Sequence, residues 1–398
     1  MDFDELCDFE TEYEAYLAAR RGKRHKAKTA EYEANALACT EKLCAMLKAG
    51  CYKPSRFEVF TVYEPKERLV QAPAFVDKVV LHAITDNGFY DAVTYSFLRH
   101  NAASQKGKGM HDALLHLKCC MQSYYRKHGS ADGWVLKGDV HHFFASIPHD
   151  KLKGKLRELC VKRGIDLRIY ELLCLYIDNS EEGLPLGYQT SQLLALMYLD
   201  GFDHWVTERH KGLWGYGRYM DDFYAIVETK AEAQALLKDM RAYMAQLGLE
   251  LNEKTQIFPL RNGLDFMGFH TYLTDTGGCV QKLRRSSVKR MHRRLKKWKH
   301  ELAEGGTTPE KIAVQWQSMD AHAAHGDTYA LRQWFAKEAG KLCGKELKPR
   351  RKINSTRAIA AQRKLKQMQR AAKKNGPPEV TERLIVYEDT SQSTKGDF

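Results

Sequence analysis

Residues 216–228 read YGRYMDDFYAIVE. Aromatic and β-branched residues flank an Asp-Asp pair, the composition of two strands around a tight turn. Asp favours turns on its own account, so the simplest reading of such a pair is a hairpin loop. The neighbours change that reading. Asp221 and Asp222 sit between Tyr219-Met220 and the apolar run Phe223–Val227, and Asp139 follows the apolar Trp134-Val135-Leu136. A carboxylate at the end of a buried strand is costly unless a cation compensates it. Two strand ends of one sheet, each carrying Asp, can converge on a pair of Mg²⁺ ions. Mg²⁺ prefers one or two carboxylates plus water and substrate phosphates, the ligand set of nucleotidyl transfer.

Working outward, 27–48 has apolar positions at helical spacing and is followed by Gly50. The segment FEVFTVYEPKERLVQAP (57–73) alternates like a hairpin turning at Glu64-Pro65-Lys66-Glu67. Helices are expected at 75–90 and 110–127, with a polar loop between them. A short buried strand covers 134–140, and helices run on to about 178. GLPLGYQTSQ (183–192) reads as a loop opening one long apolar helix, and 230–247 as a further helix. Further strands are expected in ELNEKTQIFPL and LDFMGFHTYL. Strands and helices in this order predict an α+β fold, an antiparallel sheet backed by helices. Ten Lys or Arg fall between Lys282 and Lys299, in a segment that reads as a basic helix with Trp298 interleaved. Residues 346–375 are Lys/Arg-rich, and the last twenty or so are expected to be loosely ordered.

The chain has 398 residues and a formal net charge of +13, so a polyanion such as nucleic acid is the expected partner. At 43% hydrophobic residues it has enough apolar material for a real interior. Its ten cysteines include no CxxC pair, which points to a reducing, cytoplasmic setting. The acidic start lacks an apolar core, and no stretch is apolar for long enough to span a membrane. Neither a secretory leader nor a membrane partner is therefore expected.

Tyr219-Met220-Asp221-Asp222 resembles the YxDD box of reverse transcriptases. DVHHFFASIPHD (139–150) is similar to that family's first palm motif, and GLPLGYQTSQLLALMYL (183–199) to the motif opening its long palm helix. LGLELNEKTQ (247–256) resembles the next motif and LDFMGF (264–269) the primer-grip hairpin. Five motifs in order exclude coincidence. The resemblance spans about 50 to about 345. It implies a right-hand polymerase: an N-terminal helical extension (1–50), fingers (51–138), palm (139–275), helical basic thumb (276–345) and basic tail (346–398).

The resemblance also implies roles. Asp139 and Asp221 would be the principal ligands of two Mg²⁺ ions (Mn²⁺ as a substitute), with the Val140 carbonyl assisting and Asp222 a supporting acid. Phe144 falls at the steric gate, where a ring collides with a ribonucleotide 2′-hydroxyl, and so implies dNTP use; Phe143 is assigned to core packing. Lys66 and Arg68 would reach the triphosphate. Gly187, Gln189, Ser191 and Gln192 would line the nucleotide and template side, Gly187 because a missing side chain lets backbone approach the nascent base pair. Lys254 would protonate pyrophosphate. Phe266, Met267 and Gly268 would form the primer grip, and Arg284, Arg285, Lys289, Arg293 and Lys297 would bind nucleic acid. Lys106 and Lys108 fall in a loop that would touch template backbone.

The implied partners are an RNA template, a DNA or RNA primer, dNTPs, a cognate non-coding RNA and an accessory protein. The form Leu186-Gly187 before Ser191-Gln192 is closer to diversity-generating retroelements and unclassified bacterial lineages than to group II introns. The reading leans to an unclassified, defence-associated enzyme. Mutagenic cDNA synthesis in a diversity-generating retroelement is the alternative, and a non-catalytic, maturase-like RNA-binding protein a further one.

Overall fold

Four strands build the sheet on which the rest of the molecule is assembled. In chain order the strands are β1 (Glu58–Val62), β2 (Arg68–Ala72), β3 (Trp134–Gly138), β4 (Gly215–Tyr219), β5 (Asp222–Val227), β6 (Gln256–Pro259), β7 (Leu264–Phe266), β8 (Phe269–Leu273) and β9 (Cys279–Leu283). The computed structural model describes residues 1–63, 67–210 and 212–350. The central sheet has the order β4-β5-β3-β6, and every pairing in it is antiparallel.

Register explains why FYAIV is a continuous apolar run instead of an alternating one. Val135 pairs with Ile226 and Lys137 with Tyr224, which puts all four on one face. Leu136 pairs with Ala225 and Gly138 with Phe223 on the other. Both faces are covered. Leu136, Phe223, Ala225 and Val227 join the large core formed with the helices. Val135, Tyr224 and Ile226 pack with the Met110–His128 helix and with β7–β9. That helix lies close to β4 because Gly215 has no side chain: a Cβ there would come within 2.6 Å of the Cys120 Cβ.

Helices at Phe9–Ala19 and Ala36–Lys48 pack with Phe75–Ile84 as an N-terminal layer. The expected 27–48 helix is two, Ala27–Ala34 and Ala36–Lys48, because Asn35 takes φ −129° and ψ 37°. The expected 75–90 helix ends at Ile84; Asn87 and Gly88 leave helical geometry before Tyr90–Thr94 resumes. The long apolar helix is likewise interrupted at Leu199, giving Gln189–Tyr198 and Asp200–Arg209. Asn and Gly account for the first two breaks by their tolerance of non-helical backbone.

At the C-terminal end, Arg285–Ala303, Pro309–Ala323 and Tyr329–Cys343 form a three-helix unit with its own core. Trp298 is 1% exposed within that core, and its Nε1 donates to Gln315 Oε1 at 2.7 Å. The tryptophan amid the basic run therefore packs the unit together and does not face a ligand. Replacing it with Ala should cost about 3–5 kcal/mol. Residues 351–398, which hold most of the basic tail, lie outside the described residues.

Candidate active site

Asp139 leaves the end of β3, and Asp221 and Asp222 stand where β4 turns into β5. The Gly138–Phe223 pair is the last of the β3–β5 ladder, so one further step sets Asp139 opposite Asp222 on the same face. Tyr219 pairs with Asp222, which closes a two-residue loop of Met220 and Asp221. Met220 has φ 57° while Asp221 does not enter the positive-φ region, the pattern of a type II′ turn. A methionine there carries about 1–2 kcal/mol of strain that the surroundings must hold. Among the described residues four non-glycines have positive φ, and two of them, His142 and Met220, lie within three residues of these acids in the chain.

The carboxylates feel one another. Burial raises the Asp222 carboxyl to about 6; Lys137 pulls it back, and Asp221 and Asp139 push it further up. Lys137 Nζ lies 3.5 Å from Asp222 Oδ1. On its other side Asp139 is fixed by the 250–252 segment. Asn252 donates from its backbone N to the Asp139 carbonyl (2.8 Å) and from Nδ2 to Asp139 Oδ2 (3.3 Å). His141 N donates to the Glu250 carbonyl at 2.8 Å. These bonds bracket the Val140–Leu251 bridge, so the backbone N–H and C=O of Val140 point the other way, toward the β5 side.

Among the described residues no three His, Cys, Asp or Glu side chains close on a single ion site by themselves. The aspartates form an open set of hard oxygens, which suits an ion that takes its other ligands from water and substrate. Beside them opens a cavity of 1110 Å³ lined by Lys137, Asp139, Lys254, Lys282, Arg284 and Arg285 among others. Five Lys or Arg against Asp139 and Asp265 leave this lining net positive, which suits a polyphosphate.

Phe144 follows Asp139 by five residues and packs against the large helical core. His142, with φ 42°, caps the short Phe143–Ser146 helix and turns the chain so that Phe143 is buried while Phe144 stays half-buried. Leu184 N donates to the Phe144 carbonyl at 2.7 Å, and His149 Nε2 donates to the Gly183 carbonyl at 2.6 Å. The GLPLG loop thus runs directly against Phe144.

Several expectations change in detail. Gly187 abuts its own chain: a Cβ there would lie 2.1 Å from the Gln71 carbonyl oxygen of β2. The missing side chain serves the contact with the β1–β2 hairpin, which supplies a reason for the glycine without any base pair. Ser191 is 2% exposed on the inner side of its helix and so lines no open pocket. Gln189 and Gln192 are exposed, and Gln192 Oε1 accepts from Ser104 Oγ at 2.7 Å. Arg68 opens β2 opposite Val62, and Lys66 lies outside the described residues. Lys108 Nζ donates to the Asn101 carbonyl at 3.0 Å, bracing its own loop.

In the 264–269 hairpin, Phe266 pairs with Phe269 around Met267 (φ 47°) and Gly268 (φ 83°), a type I′ turn. Phe266 is 2% exposed and packs edge-on to Tyr224, so only Met267 and Gly268 can meet a ligand. Arg284 N and Ser287 Oγ donate to the Gly268 carbonyl at 3.1 and 3.4 Å, tying the hairpin tip to the start of the basic helix. On that helix Arg285, Lys289, Arg293 and Lys297 are exposed, Arg284 is half-buried, and Lys297 pairs with Glu301 at 3.5 Å.

Residues 66–271, more than half of the chain, match the family model described as reverse transcriptase (RNA-dependent DNA polymerase). The chain belongs to the reverse transcriptase family. It is a member of the RNA-directed DNA polymerases, with a right-hand polymerase-like α+β fold. A curated relative, Protein YkfC of Escherichia coli (strain K12), is 26% identical over 272 residues, covering 56% of this chain and 68% of that one. Among solved structures it is similar to apo telomerase from Candida tropicalis truncated from its C-terminal domain (13% identity, TM-score 0.42, 59% of this chain and 58% of that chain). Telomerase from Candida albicans in complex with a TWJ fragment of telomeric RNA is another (11% identity, TM-score 0.45, 80% and 55%). The chain thus spans little more than half the length of either telomerase chain.

Lys137, Asn252 and His142 were not singled out in the sequence. A lysine inside the apolar run before Asp139 was the available signal for the first; the other two become visible only through register and backbone geometry.

Proposed function

We propose that this reverse transcriptase copies an RNA template into cDNA from the 3′-hydroxyl of a DNA or RNA primer, in the cytoplasm of a cell hosting a bacterial or phage retroelement. The observation that carries the proposal is the placement of Asp139, Asp221 and Asp222 at the adjoining ends of β3 and β5, beside a cationic cavity. Two Mg²⁺ ions, or Mn²⁺ in their place, would activate the primer hydroxyl and neutralise the triphosphate when bound. Asp139, Asp221 and the Val140 carbonyl are the proposed ligands, with Asp222 in support.

The remaining steps fall to the chain's own groups. Lys254 lines the cavity and would deliver a proton to the departing pyrophosphate. Phe144 excludes the ribonucleotide 2′-hydroxyl. Lys66 and Arg68 take the triphosphate from the 51–138 fingers, and Gln189 and Gln192, on the first palm helix after the GLPLG loop, approach the template. Met267 and Gly268 hold the primer end. The basic face of the 276–345 thumb clamps the duplex through its phosphates, and the 139–275 palm carries the chemistry. The 1–50 extension buttresses the fingers, the Lys/Arg-rich 346–375 adds non-specific RNA affinity, and a cognate non-coding RNA is the proposed partner. A defence role with an accessory protein is the reading taken for the biology; a diversity-generating element is the alternative. A maturase-like protein that only binds RNA has no use for the three acids.

Sequencing cDNA from cells that express the wild type and, separately, Asp221→Ala tests this. The expected result is cDNA copied from one RNA in the wild type and none in the variant. Faithful copies support the defence reading, and copies laden with substitutions support the diversity-generating one. Equal cDNA in both strains contradicts the proposal.

A further inference from the structure

Arg218 lies two residues before the Met220-Asp221 turn and is among the most deeply buried side chains of the molecule, at 1% exposure. Its partner, Asp203, is 0% exposed and comes from the Asp200–Arg209 helix packed on the sheet face opposite the carboxylates. Arg218 Nε donates to Asp203 Oδ1 at 2.7 Å and Nη2 to Asp203 Oδ2 at 2.5 Å, a two-pronged clamp. Tyr216 OH adds a third bond to Asp203 Oδ1 at 2.6 Å. The remaining arm of the guanidinium, Nη1, donates to the Met220 carbonyl at 2.8 Å.

A fully buried ion pair is a poor way to gain stability, since well-packed apolar residues of similar volume serve as well or better. A guanidinium is, however, the one side chain that can grip a carboxylate with two N–H groups and aim another in a fixed direction. Here that direction is the carbonyl of a strained, left-handed residue immediately before a catalytic acid. The Met220 carbonyl and the Asp221 N–H share one rigid peptide plane. Holding the carbonyl from below the sheet therefore sets the orientation from which the Asp221 side chain departs.

We propose that Arg218, clamped by Asp203, is a positioning residue that holds the Met220–Asp221 peptide plane and so fixes Asp221 for catalysis. The inference rests on the catalytic reading of Asp221 above. It is tested by steady-state primer extension with the purified full chain and the variants Arg218→Lys, Asp203→Asn and Tyr216→Phe. Each is also measured for melting temperature, primer–template affinity and Mg²⁺ dependence.

Arg218→Lys is expected to lower kcat by about 10–100-fold, as a small misplacement of a catalytic group does. Its KM for dNTP and its duplex affinity should stay near wild type, while more Mg²⁺ is needed for half-maximal rate. Tyr216→Phe removes a bond from Asp203 but leaves the arm on Met220, so it should lower the melting temperature without lowering kcat. Asp203→Asn loosens the clamp and should lower kcat at a stability matched to Tyr216→Phe; this comparison decides the matter if the lysine variant does not fold. A kcat that merely follows melting temperature across the set, or an active wild type with a fully active Arg218→Lys, overturns this inference alone. A wild type that extends no primer overturns the catalytic reading and this inference with it.

Discussion

Phe144 is the residue on which nucleotide choice should turn. It is half-buried, its carbonyl is held by Leu184 N, and its partner Phe143 is committed to the core at 3% exposure. Phe144→Val should therefore raise incorporation of ribonucleotides relative to dNTPs by about 10–100-fold, the discrimination a shape mismatch of this size supplies. Competition assays with each rNTP against its dNTP would check it; unchanged selectivity would remove Phe144 from the gate. At this scale the acids were readable in the sequence because their chemistry is local, a costly charge at a strand end. Lys137, Asn252 and Arg218 were not, since each acts on a residue that register or tertiary packing brings to it. Phe266 and Ser191 show the converse: motif position marked them, and burial assigns them to packing.

At the scale of elements, the basic helix Arg285–Ala303 and the β1–β2 hairpin each carry a separable prediction. Arg293→Ala, on the exposed side of the helix, should weaken primer–template binding alike for all sequences. It should reduce the slope of log affinity against log salt by about 1, as loss of one phosphate contact does. A salt titration of duplex binding measures it, and an unaltered slope would mean that this face does not contact phosphate. Gly187→Ala forces its Cβ onto the Gln71 carbonyl, so the hairpin must shift. The expected result is a raised KM for dNTP with little change in duplex affinity. The strands of the sheet and the Lys230–Leu247 helix were legible from period and composition. The breaks at Asn35 and Leu199, and the strand β9, were not. Apolar periodicity continues through a one-residue kink, and β9 alternates too weakly to declare itself.

At the scale of the whole molecule, Glu12 is a cost carried by the N-terminal layer. It is 0% exposed, neither carboxylate oxygen has a hydrogen-bond partner, and burial raises its carboxyl from 4.5 to about 8. Between those two values the folded chain keeps a proton that the unfolded chain has released, so stability falls as pH rises through that window. The slope is at most about 1.4 kcal/mol per pH unit and flattens above the folded value. Relative to the wild type, Glu12→Gln should gain stability steadily from pH 5 to about 8 in denaturant unfolding; a constant difference would mean that Glu12 is already ionised in the fold. Two helices of this layer, Ala36–Lys48 and Phe75–Ile84, fall within stretches legible from apolar spacing, whereas Phe9–Ala19 was expected only as part of an N-terminal extension. The central claim concerns the other end of the molecule's economy, the acids at the β3 and β5 ends. Its most direct test is primer extension by the purified chain on a defined RNA template with Mg²⁺ and dNTPs, alongside Asp139→Asn and Asp221→Asn. The expected result is cDNA from the wild type, none after chelation of the metal, and a loss of at least about 10³-fold in kcat for each variant with duplex binding retained. Undiminished synthesis by either variant would contradict it.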